Sequence, residues 1–493
     1  MKRAPWIQRR KLGNSNHWSI YFYECAIVYL FFFTKIFYKR ASCWLSKRLI
    51  QGEIQMSNKI VIIGAGSTNF GLGIVGDFFK SKILEGATLV LHDINPETLK
   101  NTYDIALSYK EKLAVNFQIE ATSSRAEALK DANFCLISIE VGRRFDLWDQ
   151  DWKTPLQYGI KQVYGENGGP GGLFHAMRQI PAIIEICEDI EKICPDAYIF
   201  SYSNPMQRIC HALTTRFPDL KIVGLCHEIA SMERQLPTLL ETTIDNIDYV
   251  AGGLNHLSIL LHAKFKDSGK DGYPLIKEKF NSYYSSLVND HEGFYSKPGA
   301  ERGVFFEIFN QYGYLPITTD SHLGEYLSWA YSVADHDGIL DFYDNYKKRC
   351  LNYYDNDSYD QFFNENDMQP HERIVPIIEN IVTDANAIEH AVNVPNEGFI
   401  ECLPKDIVVE VPSIINKKGI EGKKLENYPK SFGALLNSQV GAIQMTTEAV
   451  LKKSKQDAYY ALLSDPVVDN AKAAASLLDT MLEFQKEYLG YLK

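Results

Sequence analysis

Cysteine, histidine and glutamate stand side by side in GLCHEIA, where they are Cys226, His227 and Glu228. Another histidine, His256, follows Cys226 by thirty residues in the stretch GGLNHLSILLHA. A thiolate and an imidazole from two such segments can hold a divalent transition metal and leave positions open for substrate hydroxyls. Because neighbours on an extended strand end point to opposite sides, Cys226 and His227 are not expected to ligate one metal together. The same residues also fit a nucleophile with its base, or a strand end with a buried structural cysteine.

A second stretch with reactive side chains is YGYLPITTDSHLGEY, which contains Tyr314, Asp320, His322 and Glu325. A general base that reaches a site from the second half of the chain could lie here. The stretch fits the start of a capped helix equally well, with Asp320 or Ser321 as the cap and Glu325 in the first turn.

Five glycines distinguish YGENGGPGGLF, which spans Tyr164–Phe174. Their number predicts a loop that is neither helix nor strand. Backbone without side chains can approach a ligand closely, so the loop is a candidate part of a binding site. An ordinary surface loop is the alternative.

A glycine turn follows the first apolar strand in KIVIIGAGSTNFG. Gly64 and Gly66 come directly after the strand, and an amphipathic stretch then predicts a helix, an order typical of a turn that holds a pyrophosphate. The third glycine of the usual fingerprint would fall at Asn69. Asp93 ends the next apolar strand, where a carboxylate accepts ribose hydroxyls and disfavours a 2′-phosphate, which predicts NAD rather than NADP. Asp93 could also be a turn residue or helix cap.

Strands alternate with helices through the first half of the chain. Apolar runs with strand character recur at Thr88–Ile94, Asn133–Glu140, Ala197–Pro205 and Lys221–His227. This alternation predicts an α/β fold with a doubly wound, parallel, Rossmann-like sheet over residues 56–228, followed by a mixed α+β domain over 229–493. Ligands bind at the carboxyl ends of such strands, so Asn204 and the CHE residues are expected to face the cofactor crevice.

The net charge of −11 argues against a nucleic-acid partner, and nine scattered cysteines indicate a reducing compartment. Residues 1–55 differ from the rest, with ten Lys or Arg residues and two acids. Their apolar run Cys25–Phe33 is too short to span a bilayer, for which about 20 residues are needed. We expect a disordered or non-native extension before a second possible start at Met56; a targeting segment or a structural role are the alternatives. No membrane partner is expected for residues 56–493.

Taken together, the motifs GAGS, SNP, GLCHE, GLNH and LPxxxDxHxxEY resemble glycoside hydrolase family 4, as does the late stretch VNVPNEGFIECLPKDIVVEVP (Val392–Pro412). The resemblance runs from about Lys59 to the C-terminus. It implies an NAD- and metal-dependent glycosidase related in fold to lactate and malate dehydrogenases. Such enzymes depart from the usual two-carboxylate mechanism.

The resemblance also implies a role for each matching residue. Cys226 and His256 would hold a divalent metal, typically Mn²⁺, and His227 would lie where the acid assists leaving-group departure. Asp320 would be the base that removes the C2 proton, with Tyr314 in reserve. Asn204 and Asn167 would bind sugar hydroxyls. NAD would be bound by Gly64, Gly66, Ser67 and Asp93.

In the implied mechanism, NAD takes hydride from C3, and the resulting ketone acidifies the C2 proton. Deprotonation, elimination of the leaving group, addition of water and return of the hydride complete hydrolysis without net oxidation.

In the family that the chain resembles, branches that act on 6-phosphosugars tend to carry Asp-Met-Pro or Asn-Val-Pro after the metal cysteine. Here His-Glu-Ile follows it, so the resemblance implies a non-phosphorylated α-hexoside such as a glucoside or galactoside. An α-galacturonidase or α-glucuronidase is the alternative within the family. That branch has an arginine where Ser321 stands, although Arg143, Arg144 or Arg302 could replace its charge.

Outside the family, a 2-hydroxy-acid dehydrogenase or a non-catalytic NAD-binding protein are the remaining alternatives. The cysteine pattern predicts a cytoplasmic protein, and the resemblance implies a homodimer or homotetramer.

Overall fold

The computed structural model describes residues 58–67, 70–286, 301–353, 359–364 and 371–493. Contacts divide the chain into two units, Met1–Ser57 and Asn58–Lys493. The predicted extension 1–55, with its apolar run, and Asn69 therefore lie outside the described residues. Among the helices that are described, none is long and apolar enough to cross a bilayer.

The first half of the described chain alternates strands and helices. In chain order the elements are β1 (Lys59–Ile63), α1 (Gly71–Lys80), β2 (Thr88–His92), α2 (Pro96–Lys112), β3 (Gln118–Thr122), α3 (Arg125–Leu129), β4 (Phe134–Ile137), α4 (Arg144–Gln157), α5 (Gly169–Ile193), β5 (Tyr198–Ser201), α6 (Met206–Arg216) and β6 (Lys221–Gly224). The six strands are parallel in the order β3-β2-β1-β4-β5-β6. This doubly wound order confirms the predicted Rossmann-like fold.

The second half adds antiparallel strands and more helices. They are α7 (Glu228–Leu240), β7 (Ile247–Leu254), β8 (Leu257–Phe265), α8 (Tyr273–Ser286), α9 (Gly303–Tyr312), β9 (Leu315–Pro316), α10 (Asp320–Leu323), α11 (His336–Leu351), α12 (Ile374–Thr383), β10 (Ala387–Pro395), β11 (Val408–Asn416), β12 (Gly419–Gly422), α13 (Lys430–Lys452), α14 (Lys455–Ser464), α15 (Ala471–Phe484) and α16 (Lys486–Leu489). The sheet continues from β6 through β10-β11-β7-β8-β9, with β12 beside β11. Both predicted parts thus share one sheet, and the boundary at residue 228 stays a prediction.

The central parallel strands are buried on both faces because their consecutive residues, which point to opposite faces, are apolar. Ile60 and Ile62 of β1 join one hydrophobic core, while Val61 and Ile63 join the other. Apolar residues of α13, α14 and α15 belong to the second core. The C-terminal helices therefore cover one face of the parallel sheet, as a strand that is apolar on both sides requires.

One local prediction was wrong. Residues 169–174 of the glycine-rich stretch form the first turns of α5 rather than a loop. Pro170 stands at the helix start, where its missing N–H costs nothing. A β-carbon at Gly172 would lie 2.3 Å from the backbone of Asn167, so the glycines serve close packing of the helix start on the preceding loop.

Candidate active site

A large cavity lies at the carboxyl ends of the parallel strands. Its volume is about 1310 Å³, more than the about 300–1,000 Å³ usual for one small molecule. It is lined by eight of the eleven residues to which the resemblance assigns a role: Gly64, Gly66, Ser67, Asp93, Asn204, Cys226, His227 and His256. The cavity therefore has room for a dinucleotide and a sugar together.

The glycine turn forms one end of this cavity. Gly64 has φ +87°, and a β-carbon there would lie 2.0 Å from the carbonyl oxygen of Ser138. The Gly66 N–H donates to Oδ2 of Asp93 at 2.9 Å, and the Asn95 N–H donates to Oδ1 at 2.8 Å. Asp93 thus joins the glycine turn to the end of β2, while Asn95 caps α2 by accepting from Glu97 and Thr98. Both readings of Asp93, a turn residue and a carboxylate facing the crevice, describe its position.

Cys226 and His256 meet at another part of the cavity. Sγ of Cys226 lies 3.4 Å from Nε2 of His256, and both side chains are buried. The two residues come from different elements, Cys226 from the turn after β6 and His256 from the hairpin between β7 and β8. His256 occupies the two-residue turn of that hairpin with φ +64°, and its carbonyl accepts from Thr318 Oγ1 at 3.0 Å.

Two further residues complete this group. The His322 ring stacks on that of His256, with centroids 4.3 Å apart and planes inclined by 10°. Nε2 of His322 lies 3.8 Å from Oε1 of Glu228. One ligand atom from each of Glu228, His256 and His322 lies within 4.8 Å of the others. The sequence contained His322 in its second reactive stretch but gave no reason to join it to His256, because 66 residues separate them.

The geometry fits a divalent metal. A metal bonded to sulfur at about 2.3 Å and to nitrogen at about 2.1 Å, with about 90–110° between the two bonds, places these two atoms about 3.1–3.6 Å apart. The 3.4 Å between Sγ of Cys226 and Nε2 of His256 lies in that range. Oε2 of Glu228 and Nδ1 of His256 are buried and have no hydrogen-bond partner among the described residues. A buried carboxylate oxygen without a donor is costly unless a cation is near.

The electrostatics of these side chains favour binding of a cation. Burial, together with the nearby carboxylates Glu410 and Glu301, raises the pKa of Glu228 to about 8. Burial also raises the pKa of the Cys226 thiol, with Glu228 and Glu410 adding to the shift. A bound divalent cation reverses this effect, because it stabilises the thiolate and the carboxylate.

A buried carboxylate holds the glycine-rich loop. The N–H groups of Glu166, Asn167 and Gly168 donate to Glu325, those of Asn167 at 3.0 Å and Gly168 at 3.3 Å. Burial, with the neighbouring Glu166, raises the pKa of Glu325. Glu325 is thus a structural anchor for the loop and not the helix-start residue that the sequence suggested.

The loop that Glu325 anchors places the carboxylate of Glu166 beside Asn204. Nδ2 of Asn204 donates to Oε1 of Glu166 at 3.3 Å, and Arg144 Nη2 lies 2.6 Å from the same oxygen. Asn204, Glu166 and Arg144 all line the cavity, whereas Asn167 is 2% exposed and does not line it.

The two predicted bases lie away from the cavity wall. Asp320 is buried, and its carboxylate accepts from the N–H groups of Phe305 at 3.0 Å and Asp335 at 2.9 Å. Its neighbours Thr319 and Ser321 line the cavity, but Asp320 does not. Tyr314 packs edge-on against Tyr273 and does not line the cavity either.

His227 begins α7 as its N-cap residue, and its side chain is exposed at the cavity, unlike that of Cys226. Both residues line the cavity, and their orientation to opposite sides stays a prediction.

Comparison with known proteins decides the family. The model described as "Family 4 glycosyl hydrolase" matches residues 59–242, and "Family 4 glycosyl hydrolase C-terminal domain" matches residues 251–468. The chain belongs to glycosyl hydrolase family 4. It is therefore a glycosidase, which confirms the predicted family and reaction class and sets aside the 2-hydroxy-acid dehydrogenase.

Relatives within family 4 differ in their named substrates. The chain is 46% identical over 463 residues to an alpha-glucosidase of Erwinia rhapontici, covering 89% of this chain and 100% of the relative. It is 30% identical over 417 residues to an alpha-galactosidase of Bacillus subtilis (strain 168), covering 83% and 93%. An alpha-galacturonidase of Thermoanaerobacterium saccharolyticum is 29% identical over 455 residues, covering 87% and 96%.

A solved structure has the same fold. A 6-phospho-alpha-glucosidase from gut microorganisms, in complex with NAD and Mn²⁺, has a TM-score of 0.70 and 23% identity, covering 87% of this chain and 98% of its own.

Proposed function

We propose that this family 4 glycosidase hydrolyses non-phosphorylated α-hexosides, an α-glucoside first, with NAD and a divalent metal, most simply Mn²⁺. The observation that carries the proposal is the group of Cys226, His256, Glu228 and His322 in the cavity that the glycine turn also lines. A sugar bound in this cavity would therefore lie close to both a dinucleotide site and a metal site.

In the proposed reaction, this chain's residues bind and orient the sugar. Cys226 and His256 would hold the metal, with Glu228 and His322 as further ligands. Asn204 beside Glu166 would bind sugar hydroxyls. His227, exposed at the cavity, would protonate the leaving oxygen. When bound, NAD would supply a hydride acceptor for C3 and the metal a Lewis acid.

The state of the arginines favours a neutral sugar over a uronide. Arg144 lines the cavity but is paired with Glu140 and Glu166. Arg302 is 3% exposed, packs over Tyr284 and Phe305 and does not line the cavity. Arg143, the third predicted cation, pairs with Asp146 on the surface. None of the three is placed to pair with a uronate carboxylate.

An α-galacturonidase remains the second candidate because of Arg234. This arginine of α7 is exposed at the cavity and forms no ion pair with a described residue. A uronate carboxylate could pair with its guanidinium. Replacing Arg234 with Gln should leave α-glucoside hydrolysis unchanged if the sugar is neutral, and should raise KM strongly for a uronide.

The test compares p-nitrophenyl α-glucoside, α-galactoside and α-galacturonide, each with NAD, Mn²⁺ and a thiol reductant. The proposal expects release of nitrophenol from the α-glucoside without accumulation of NADH, and incorporation of solvent deuterium at C2. A two-carboxylate hydrolase incorporates none. Release that is independent of NAD and of metal, after dialysis against a chelator, would refute the proposal.

We further propose a cytoplasmic homodimer or homotetramer. The described cysteines are free thiols, five of them buried, which suits a reducing compartment. Light scattering coupled to size exclusion tests the oligomer, and a mass of one chain would contradict it.

A further inference from the structure

One row of residues crosses the sheet where its parallel and antiparallel parts join. Gly224 of β6 pairs with Asn393 of β10, Asn393 pairs with Glu410 of β11, and Glu410 pairs with Gly253 of β7. The two ends of this row lead directly to the proposed metal ligands. Cys226 follows Gly224 by two residues, and His256 follows Gly253 by three.

The side chains in this row are bonded to both ligand segments. Oε2 of Glu410 accepts from Nδ2 of Asn255 at 3.1 Å and from Nδ2 of Asn393 at 3.2 Å. Oε1 accepts from Oγ of Ser258 at 2.8 Å. Nδ2 of Asn393 also donates to the carbonyl of Gly224 at 3.3 Å.

These contacts bracket His256 and reach the residue two before Cys226. Asn255 and Ser258 lie on either side of His256, whose φ of +64° is uncommon for a residue with a side chain. Asn255, Ser258, Asn393 and Glu410 are each 5% exposed or less. None of these four lines the cavity, so they cannot touch the sugar or the cofactor there.

We propose that Glu410 is a positioning residue that sets the separation of Cys226 and His256 and so tunes the affinity for the metal. The proposal rests on the proposed metal site. It assigns a purpose to the late stretch Val392–Pro412, which contains both Asn393 and Glu410 and forms no part of the cavity wall. Groups that orient metal ligands through hydrogen bonds commonly change metal affinity about 10–100-fold when they are removed.

The bonding pattern also predicts which replacement is tolerated. A glutamine at position 410 could accept from both asparagines through its oxygen. Its amide N–H could donate to Ser258, whose hydroxyl already lies 3.0 Å from the carbonyl of Leu254 and can donate there. Glu410→Gln therefore keeps every contact and removes only the charge, whereas Glu410→Ala removes the contacts.

The experiment measures Mn²⁺ binding to the full chain by electron paramagnetic resonance and calorimetry, without substrate. Glu410→Ala should raise the dissociation constant about 10–100-fold, and Glu410→Gln should stay within about threefold of the unaltered protein. Glu389→Ala is the matched control. It removes a buried carboxylate of the adjacent strand β10 that accepts from Arg373 at 2.8 and 2.7 Å, and it should leave Mn²⁺ affinity unchanged.

Three outcomes would overturn the proposal. They are an unchanged Mn²⁺ affinity in folded Glu410→Ala, an equal loss in Glu389→Ala, and a loss in Glu410→Gln as large as in Glu410→Ala. If Glu410→Ala does not fold, Asn393→Ala, which cuts the bond to Gly224, must weaken Mn²⁺ binding several-fold, and an unchanged affinity refutes the proposal. Cys226→Ala separates the two proposals, because failure of this variant to weaken binding would refute the metal site itself.

Discussion

The imidazole rings of His256 and His322 stack almost parallel, with their centroids 4.3 Å apart, although one lies in a hairpin turn and the other in a short helix. Stacking of this kind brings two nitrogen donors to one place, and Glu228 adds a carboxylate within 4.8 Å. The contact can serve either packing or metal ligation, and one substitution distinguishes the two roles.

His322→Phe keeps an aromatic ring on His256 and removes the nitrogen ligands. We expect Mn²⁺ affinity to fall at least tenfold, because a metal ligand is lost, while the melting temperature of the metal-free protein changes little. Calorimetric titration with Mn²⁺ and a thermal melt in chelator measure the two quantities. His336→Phe, at an exposed histidine outside the cavity, is the control. Unchanged Mn²⁺ affinity in His322→Phe would restrict His322 to packing.

Gly64→Ala should prevent NAD binding at the glycine turn. The added β-carbon would lie 2.0 Å from the Ser138 carbonyl, so the turn must shift away from the end of β4. Gly159→Ala is the matched control, since Gly159 has a similar φ of +78° but nothing within 4 Å of a β-carbon. Left-handed backbone costs both variants about 1–2 kcal/mol. Only Gly64→Ala should raise the NAD dissociation constant, by at least tenfold in a fluorescence titration; equal NAD affinity in both variants would contradict a role for the turn.

Asp93→Asn should reduce the preference for NAD over NADP. The amide keeps an oxygen that can accept from Gly66 or Asn95 but loses the charge that repels a 2′-phosphate. We expect the ratio of the two dissociation constants to change at least tenfold toward NADP. The exposed Glu97→Gln, in the first turn of α2, controls for a general change of charge near this end of the cavity. A ratio that stays the same would remove Asp93 from the cofactor site.

The sequence predicted those parts of the site whose residues belong to short, continuous segments of the chain. The strand, glycine turn and acidic strand end at Gly64 and Asp93 follow from short-range periodicity and turn chemistry. The meeting of Cys226 and His256 required the family resemblance as well. Neither source predicted that β10 and β11 separate β6 from β7, or that His322 stacks on His256. These arrangements depend on pairings between distant segments, which hydrophobic periodicity does not encode. The start of α5 was missed because its glycines are selected for close packing, against their low helix propensity.

Asp320→Asn tests the predicted base. To act at C2, the carboxylate must turn from the N–H groups of Phe305 and Asp335 toward the cavity between Thr319 and Ser321. We expect deuterium exchange at C2 to fall at least 100-fold while Mn²⁺ and NAD affinities persist. Loss of stability by about 1–3 kcal/mol should accompany it, because a buried acceptor is altered. Tyr314→Phe is the parallel variant; exchange that survives in Asp320→Asn and disappears in Tyr314→Phe would assign the base to the tyrosine.

Glu301 should make stability depend on pH near neutrality. Burial raises its pKa to about 7, although the Ser321 N–H at 2.8 Å and Thr319 Oγ1 at 2.9 Å stabilise the carboxylate. Because the folded state holds this proton more tightly than the unfolded chain, the free energy of unfolding should fall as pH rises from about 4.5 to about 7. The slope approaches about 1.4 kcal/mol per pH unit within that window. Glu301→Gln cannot ionise, so its unfolding free energy should decline less. Urea unfolding of both proteins at intervals from pH 5 to pH 8, in chelator, measures the difference. A constant difference between Glu301→Gln and the unaltered protein across that range would show that Glu301 ionises with an ordinary pKa.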